Sequence, residues 1–334
     1  LVKNKKIAIL FIFFFCISFF VSKGVNFKSK SYYFSINNLF KFDHHIDVKE
    51  EKLDLIYEYF HEGDGDFFAI QGIDGFSKNY NYEIFISNGY KNSIGYINNN
   101  NIIYSNKIKN NTEKGGIELI ADVFFRDEKN IFWTSYRNSL VYKSDNKLNL
   151  SKKIFAKNFY NPIGISGNDN QIIVADYGNH EIVCLDYNGE EIWRKKYYIN
   201  FRLQKSPYGI TFYKDKFFIS FNYHRNFKVI EIDLKGKIKN VSNFKKINDL
   251  EIDNLQGIDS DNNGKLYLHD TGNKRIILLK NDLTILKILK YEHMNVGRGL
   301  AILKPDNLMV VTGFKKNRKI SSKMSGFWVF EKIK

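Results

Sequence analysis

Short apolar runs rich in Ile, Val, Tyr and Phe alternate with clusters of Asn, Asp and Gly along most of the chain. That is the pattern of strands joined by tight turns. The pattern also repeats. Residues 161–193 read NPIGISGNDNQIIVADYGNHEIVCLDYNGEEIW, and residues 254–286 read NLQGIDSDNNGKLYLHDTGNKRIILLKNDLTIL. They align without a gap: Gly-Ile, a polar turn, an apolar run ending in Asp176 or Asp270, then Gly-Asn and a second apolar run. Looser copies occupy 206–238 and the stretch from 297, and two more at 70–97 and 120–145 fit once Asp122 takes the Gly position.

The anchors are then Gly72, Asp122, Gly164, Gly209, Gly257 and Gly299, with successive gaps of 50, 42, 45, 48 and 42. About four strands in each unit of about 40–50 residues is the pattern of β-propeller blades. Six anchors predict six blades over 65–334. The last unit shows three clear strands, ending in GFWVFEKI at 326–333. An N-terminal segment, 25–64, is expected to supply the fourth, from SYYFSINNLF at 31–40, so that no edge is left open. Residues 48–60 read either as one short helix or as the lead-in to the first blade.

The chain resembles the NHL-repeat family of six-bladed β-propellers. The resemblance rests on Pro162-x-Gly164-Ile165, Ile173-Val174-Ala175-Asp176, Gly178-Asn179-His180 and Gly272-Asn273-Lys274-Arg275-Ile276, and spans roughly residues 65–334. It implies an Arg where Glu181 stands. Units two, four and six depart further from the pattern.

Composition changes the picture at one end. Lys3, Lys5 and Lys6 precede the apolar stretch IAILFIFFFCISFFV, residues 7–21. A basic start and an apolar core of that length predict a signal peptide over 1–24, or an uncleaved anchor, and hence an extracytoplasmic protein. A span usually needs about twenty apolar residues. Beyond this segment Cys184 stands alone, so no intramolecular disulfide is expected, and its apolar run places it in the core. The net charge of +15 comes from a chain crowded with Lys and Asn. It bears on function only where the cations cluster.

Candidate chemistry lies in the loops. Asp176, Gly178 and Asn179 recur as Asp270, Gly272 and Asn273, which marks them as turn parts. Between and beside them the equivalent loops carry Tyr136, Arg137, Tyr177, His180, Tyr223, His224, Arg225 and Arg275. Gln71, Tyr208, Gln256 and Arg298 precede the anchors and are expected near a central channel. A rim of aromatics and cations suits an anionic or sugar-like ligand. The expected partners are an envelope glycan, an anionic lipid or a protein, with the membrane reached through residues 7–21 if they are retained. An export signal argues against nucleic acid.

The competing expectation is an enzyme of the lactone-hydrolase or lyase kind with a divalent metal in the channel. Its candidates are Asp74 and Asp259; Asp122 stands out of their register, which on a strand turns a side chain to the other face. No catalytic residue and no cofactor is otherwise expected. The chain holds no Gly-x-Ser-x-Gly elbow, phosphate-binding Gly loop or paired-Cys motif. The stretch Phe42–Asp47, with His44 and His45, reads as an exposed loop.

Overall fold

The computed structural model describes residues 49–331, except 53–54, 62–69, 80, 90–92, 99–100, 108–118, 146–151, 224–225, 243, 245–250, 291–298 and 317–322. Every regular element described is a strand. Two come first, β1 (Lys49–Lys52) and β2 (Leu55–His61). Four-stranded meanders follow: β3 to β6 (Ile70–Lys78, Asn81–Asn88, Ser93–Asn98, Asn101–Lys107), β7 to β10 (Ile120–Asp127, Asn130–Ser135, Leu140–Ser144, Lys153–Ala156) and β11 to β14 (Pro162–Gly167, Ile172–Asp176, Glu181–Leu185, Glu191–Lys195). A small hairpin, β15 (Tyr198–Ile199) and β16 (Arg202–Leu203), precedes β17 to β20 (Pro207–Tyr213, Lys216–Tyr223, Asn226–Asp233, Ile238–Val241). The chain ends with β21 to β24 (Leu255–Ser260, Leu266–Asp270, Arg275–Leu279, Ile285–Lys290) and β25 to β27 (Leu300–Pro305, Leu308–Lys316, Lys323–Phe330).

Neighbouring strands within each meander pair antiparallel. The fold is an all-β propeller. Its middle strands are buried on both faces, as in β12, because each meander stacks on the next. Large apolar side chains fill the spaces between them. Ile173, Ile182 and Cys184 of one meander meet Phe217, Ile219 and Ile230 of the next, and Phe85 and Tyr96 meet Trp133 and Tyr142. Each fully buried Ile or Phe contributes roughly 1.5–3 kcal/mol. Burial pushes the Cys184 thiol up to about 12, as suits a core residue.

The repeat count predicts six separate sheets. Around the ring, hydrogen bonding gives five continuous ones, the β15–β16 hairpin apart. β25 and β3 pair in parallel at Lys304–Phe76 and Pro305–Ser77, and Ser77 Oγ donates to Leu303 O at 2.8 Å. The first and last meanders thus join into one eight-stranded sheet, because their inner strands converge at one end of the channel. A hydrophobic cluster still separates their outer parts, with Ile84 and Ile86 against Val310 and Phe327.

The strand beside β27 is β2, paired from Leu55–Phe330 to His61–Ser325. Residues 55–61 therefore hold the place expected for 31–40, which lie outside the described residues. Among the described residues of 48–60 there is no helix, only β1 and β2. β1 instead runs parallel along β24, the outer strand of the preceding sheet. Between them, β1 and β2 cover two sheet edges, which blunts edge-to-edge association.

The Gly anchors are explained by the crowding of inner strands about the axis. A Cβ at Gly164 would stand 2.0 Å from Tyr208 O, and one at Gly209 would stand 2.5 Å from Gln256 O. Four of the six anchors sit opposite a hydroxyl on the second strand, and three of these hydroxyls clasp two meanders. Ser220 Oγ accepts from Gly209 N at 2.9 Å and donates to Gln256 O of the next meander at 3.0 Å. Ser87 does the same with Gly72 N at 2.7 Å and Ala121 O at 3.3 Å. Thr134 joins Asp122 N and Ile163 O, and Thr312 accepts from Gly299 N at 2.7 Å. Register puts Ala175 and His269 at this position in the two meanders that carry Asp176 and Asp270.

Candidate functional site

The inner strands β3, β7, β11, β17, β21 and β25 enclose a channel of about 240 Å³. Three carboxylates enter it, from Asp74, Asp122 and Asp259. Each one bridges to the inner strand of the following meander. Asp74 Oδ2 accepts from Phe125 N at 2.7 Å and its Oδ1 from Gly75 N at 2.8 Å. Asp122 Oδ2 accepts from Ile165 N at 3.1 Å and its Oδ1 from Val123 N at 3.0 Å. Asp259 Oδ2 accepts from Ile302 N at 2.7 Å, while its Oδ1 takes Ser260 N and Thr211 Oγ1, both at 2.7 Å.

Asp122 does not face away from the other two, as its offset suggested. It occupies the anchor itself, two residues before the level of Asp74 and Asp259, and an even offset on a strand keeps the same face. Burial pushes the Asp74 carboxyl up to about 7, with the charge of Asp259 adding to the rise. Burial likewise holds Asp122 well above the usual carboxylate range, against the lowering effect of the Ile165 and Val123 N–H groups. Lys304 is the cation at the far end of the channel, with Nζ 3.3 Å from Ser260 Oγ.

Among the described residues no three of His, Cys, Asp and Glu come together as metal ligands. The oxygens of Asp74 and Asp259 are engaged by backbone N–H groups that hold one meander to the next.

The second cavity, about 510 Å³, opens at the other end of the channel, where inner strands begin and second strands end. Tyr136, Tyr177 and Tyr208 line one side of it. They come from consecutive meanders and form an arc, with Tyr136 and Tyr177 centroids 6.5 Å apart and Tyr177 edge-on to Tyr208 at 6.4 Å. Asn222, Asn254 and Gln256 line the other side. Asn222 Nδ2 donates to Asn254 Oδ1 at 2.5 Å, and Gln256 Nε2 donates to the same oxygen at 3.1 Å. Gln256 Oε1 is buried without a partner.

Of the residues expected at the rim, the structure brings Tyr136 and Tyr177 to this mouth. Arg137 is exposed next to Tyr136 in the same turn. His180 adopts a left-handed φ of 58°, and its Nδ1 accepts from Ser206 N at 3.3 Å, so its ring braces the loop before β17. Arg275 turns inward: Nε meets Asp270 Oδ2 at 2.8 Å, and Nη2 donates to Glu251 O. It is a structural cation. The side chain of Tyr223, and His224, Arg225 and Arg298 altogether, lie outside the described residues, as do 7–21 and 42–47. Tyr208 and Gln256 stand where their place before the anchors put them. Asn254, two residues before Gln256, carries no signal in the sequence because Asn is common in the turns of this chain.

Asp176 and Asp270 are fully buried. Asp176 Oδ1 accepts from Tyr160 N at 2.7 Å and its Oδ2 from Asn179 Nδ2 at 2.9 Å. Asp270 takes Asp253 N and Asn273 Nδ2 in the same way, both at 2.9 Å. These turns tie the loop entering each meander to the end of its second strand.

A channel ringed by clasped inner strands defines a β-propeller. Residues 159–185, which contain the Gly164 anchor and the Asp176 turn, match the family described as NHL repeat. The protein is a β-propeller, and one of its repeats matches the NHL repeat. No curated protein matches it by sequence. In structure it is similar to virginiamycin B lyase from Staphylococcus aureus, with 12% identity, a TM-score of 0.56 and coverage of 83% of this chain and 100% of that one. It is also similar to luciferin-regenerating enzyme, at 11% identity and a TM-score of 0.54, over 83% of this chain and 98% of that one. A nidogen/laminin complex gives 13% identity and a TM-score of 0.53, over 70% and 84%. At these identities the likeness is one of fold, which hosts many functions. Among the described residues no helix is long and apolar enough to cross a membrane.

Proposed function

We propose that this propeller is a binding module of the cell envelope, held outside the cytoplasm by the export signal, and that it takes a carbohydrate ring at the channel mouth. The arc of Tyr136, Tyr177 and Tyr208 carries the reading. Three aromatic rings converge on one concavity whose opposite wall is amide, and no charged side chain lines it among the described residues. Apolar walls with a few placed polar groups are the usual form of a small-molecule site. Tyrosine rings stack on the C–H faces of a sugar, and amides pair with its hydroxyls. Of the two ligand classes the sequence suggests, the uncharged mouth favours the carbohydrate. The ring is read as six-bladed, with the eight-stranded sheet as first and last blades joined at their inner strands; the support is that six inner strands surround the channel.

An immobilised panel of envelope polysaccharides and oligosaccharides tests this. The wild-type protein should retain a glycan that Tyr177→Ala and Tyr136→Ala lose. Retention unchanged in both variants would remove the reading.

One observation favours an enzyme instead. Asp74 titrates near neutrality inside a channel, as a general acid or base requires. The lyase and the luciferin-regenerating enzyme among the structural neighbours are named for reactions. Turnover of lactone or cyclic-ester substrates that Asp74→Asn abolishes would establish this second reading, as would a bound divalent metal lost with Asp74 and Asp259.

A further inference from the structure

The mouth and the channel adjoin. Ala121, Ile163, Tyr208 and Gln256 line both cavities and form the neck between them. Each stands one residue before its anchor, so depth can be counted along the inner strands at about 3.3 Å per residue. Asp122 lies one residue below the neck, and Asp74 and Asp259 lie three residues below it. Lys304 is deeper still.

What this passage still offers is almost wholly acceptor. Gln256 is only 6% exposed, its Nε2 donates to Asn254 Oδ1, and its Oε1 has no partner. Asp74 and Asp122 each accept two hydrogen bonds, and although burial favours their protonated forms, a cation that arrives as the proton leaves to solvent meets a carboxylate with about four acceptor sites. Three carboxylates face a single described cation, Lys304. A ligand group that enters here should be a donor without acceptors and should carry positive charge. A protonated amine meets both conditions, with three N–H donors and no acceptor. It would also relieve the mutual repulsion and desolvation that raise Asp74 and Asp122.

Resting on the carbohydrate reading of the mouth, we infer that the ligand is an amino sugar with a free ammonium. Its ring lies on the tyrosines, and its ammonium passes Gln256 to reach Asp122, with Asp74 and Asp259 below.

The test is calorimetric titration with a short chitosan oligosaccharide and its fully N-acetylated counterpart of the same length. The two share ring and hydroxyls and differ in the amine. The free amine should bind at least about tenfold more tightly, the scale of one charge-assisted hydrogen bond in a shielded site. Asp122→Asn and Asp74→Asn keep an acceptor oxygen for one of the two neighbouring N–H groups, and each should cut that preference several-fold while binding of the acetylated form stays the same. Equal affinity for the two probes would overturn the inference and leave the mouth as a neutral sugar site. A preference undiminished in both Asn variants would place the attraction on the surface and overturn it as well. No binding of either probe would overturn the inference, while the glycan panel alone decides the carbohydrate reading. Should Asp122→Asn fail to fold, Asp74→Asn alone decides between these results.

Discussion

Arg194 and Asp176 form a 2.9 Å ion pair in the third meander that takes the place of the pair made by Arg275 and Asp270 in the fifth. Arg275 begins the third strand of its sheet. Glu181 stands at that point in the third meander, and a guanidinium arrives instead from the outer strand β14. Arg194 Nη1 binds Asp176 and Glu181 together, at 2.9 and 3.0 Å. A buried carboxylate keeps its cation although the cation has moved to another strand.

Removing Arg194 leaves Asp176 buried without a counter-charge. Arg194→Ala should therefore cost about 3 kcal/mol in denaturant unfolding. Restoring the cation at the usual place should recover most of it. The double variant Arg194→Ala with Glu181→Arg is expected to unfold close to wild type. A double variant no more stable than Arg194→Ala alone would show that the two positions are not interchangeable.

Much of the fold is legible in the sequence for a physical reason. Gly164 and Gly209 have no room for a Cβ, and Asp176 and Asp270 close the same turn, so the repeat must show these residues at fixed spacing. What escapes the sequence is what the repeat does not force. β2 closes the last meander with Leu55–His61, whose apolar spacing fits a helix as well as a strand. Arg194 lies outside the repeated motif, and only its distance to Asp176 reveals its part. The channel carboxylates are visible as Asp74, Asp122 and Asp259, but their facing depends on counting register from the anchor. Of the candidate site, Tyr136 and Tyr177 are legible from loop alignment. Arg275 and His180 look equally exposed in sequence, and their inward hydrogen bonds appear only in three dimensions.

The hydroxyl clasps carry a second prediction. Ser220 satisfies Gly209 N and Gln256 O at once. Ser220→Ala leaves both buried and should cost about 2 kcal/mol. Ser220→Thr, the residue the clasp uses at Thr134, should retain most of the stability. If Ser220→Ala unfolds with the wild-type midpoint, the clasp contributes nothing.

His269 occupies a clasp position without clasping. It is fully buried, and neither ring nitrogen has a hydrogen-bond partner. Burial lowers its pKa from 6.5 to about 3. The unfolded chain therefore takes up this proton below about pH 6.5 and the folded chain does not, so this residue removes stability as pH falls from 6.5 towards 3. Asp74 acts in the opposite sense. Its carboxyl is raised from 3.8 to about 7, so the folded chain binds the proton first, and stability grows as pH falls from 7 towards 4. The two slopes oppose each other in the wild type. His269→Thr removes one of them. Relative to wild type, it should gain about 2 kcal/mol between pH 7.5 and pH 5 in urea unfolding. A constant difference across that range would contradict the assignment.

The tip of the β15–β16 hairpin is strained. Asn200 and Phe201 both have positive φ, 49° and 60°, and Phe201 is fully exposed. Two left-handed residues in a two-residue turn favour Asn-Gly. Phe201→Gly should therefore raise stability, by up to about 1 kcal/mol, because it relieves the strain and loses no buried surface. A lower melting temperature would mean that the phenyl ring has a partner in the folded protein.

The carbohydrate reading of the mouth is tested most directly by watching its tyrosines. The protein is labelled with 3-fluorotyrosine, the Tyr136, Tyr177 and Tyr208 signals are assigned by single Tyr→Phe substitutions, and a bound oligosaccharide from the glycan panel is titrated in by fluorine NMR. These three signals should shift together and saturate at one affinity, while the exposed Tyr160 and Tyr198 stay in place. Saturable binding that shifts other tyrosines and leaves these three unmoved would contradict the carbohydrate reading.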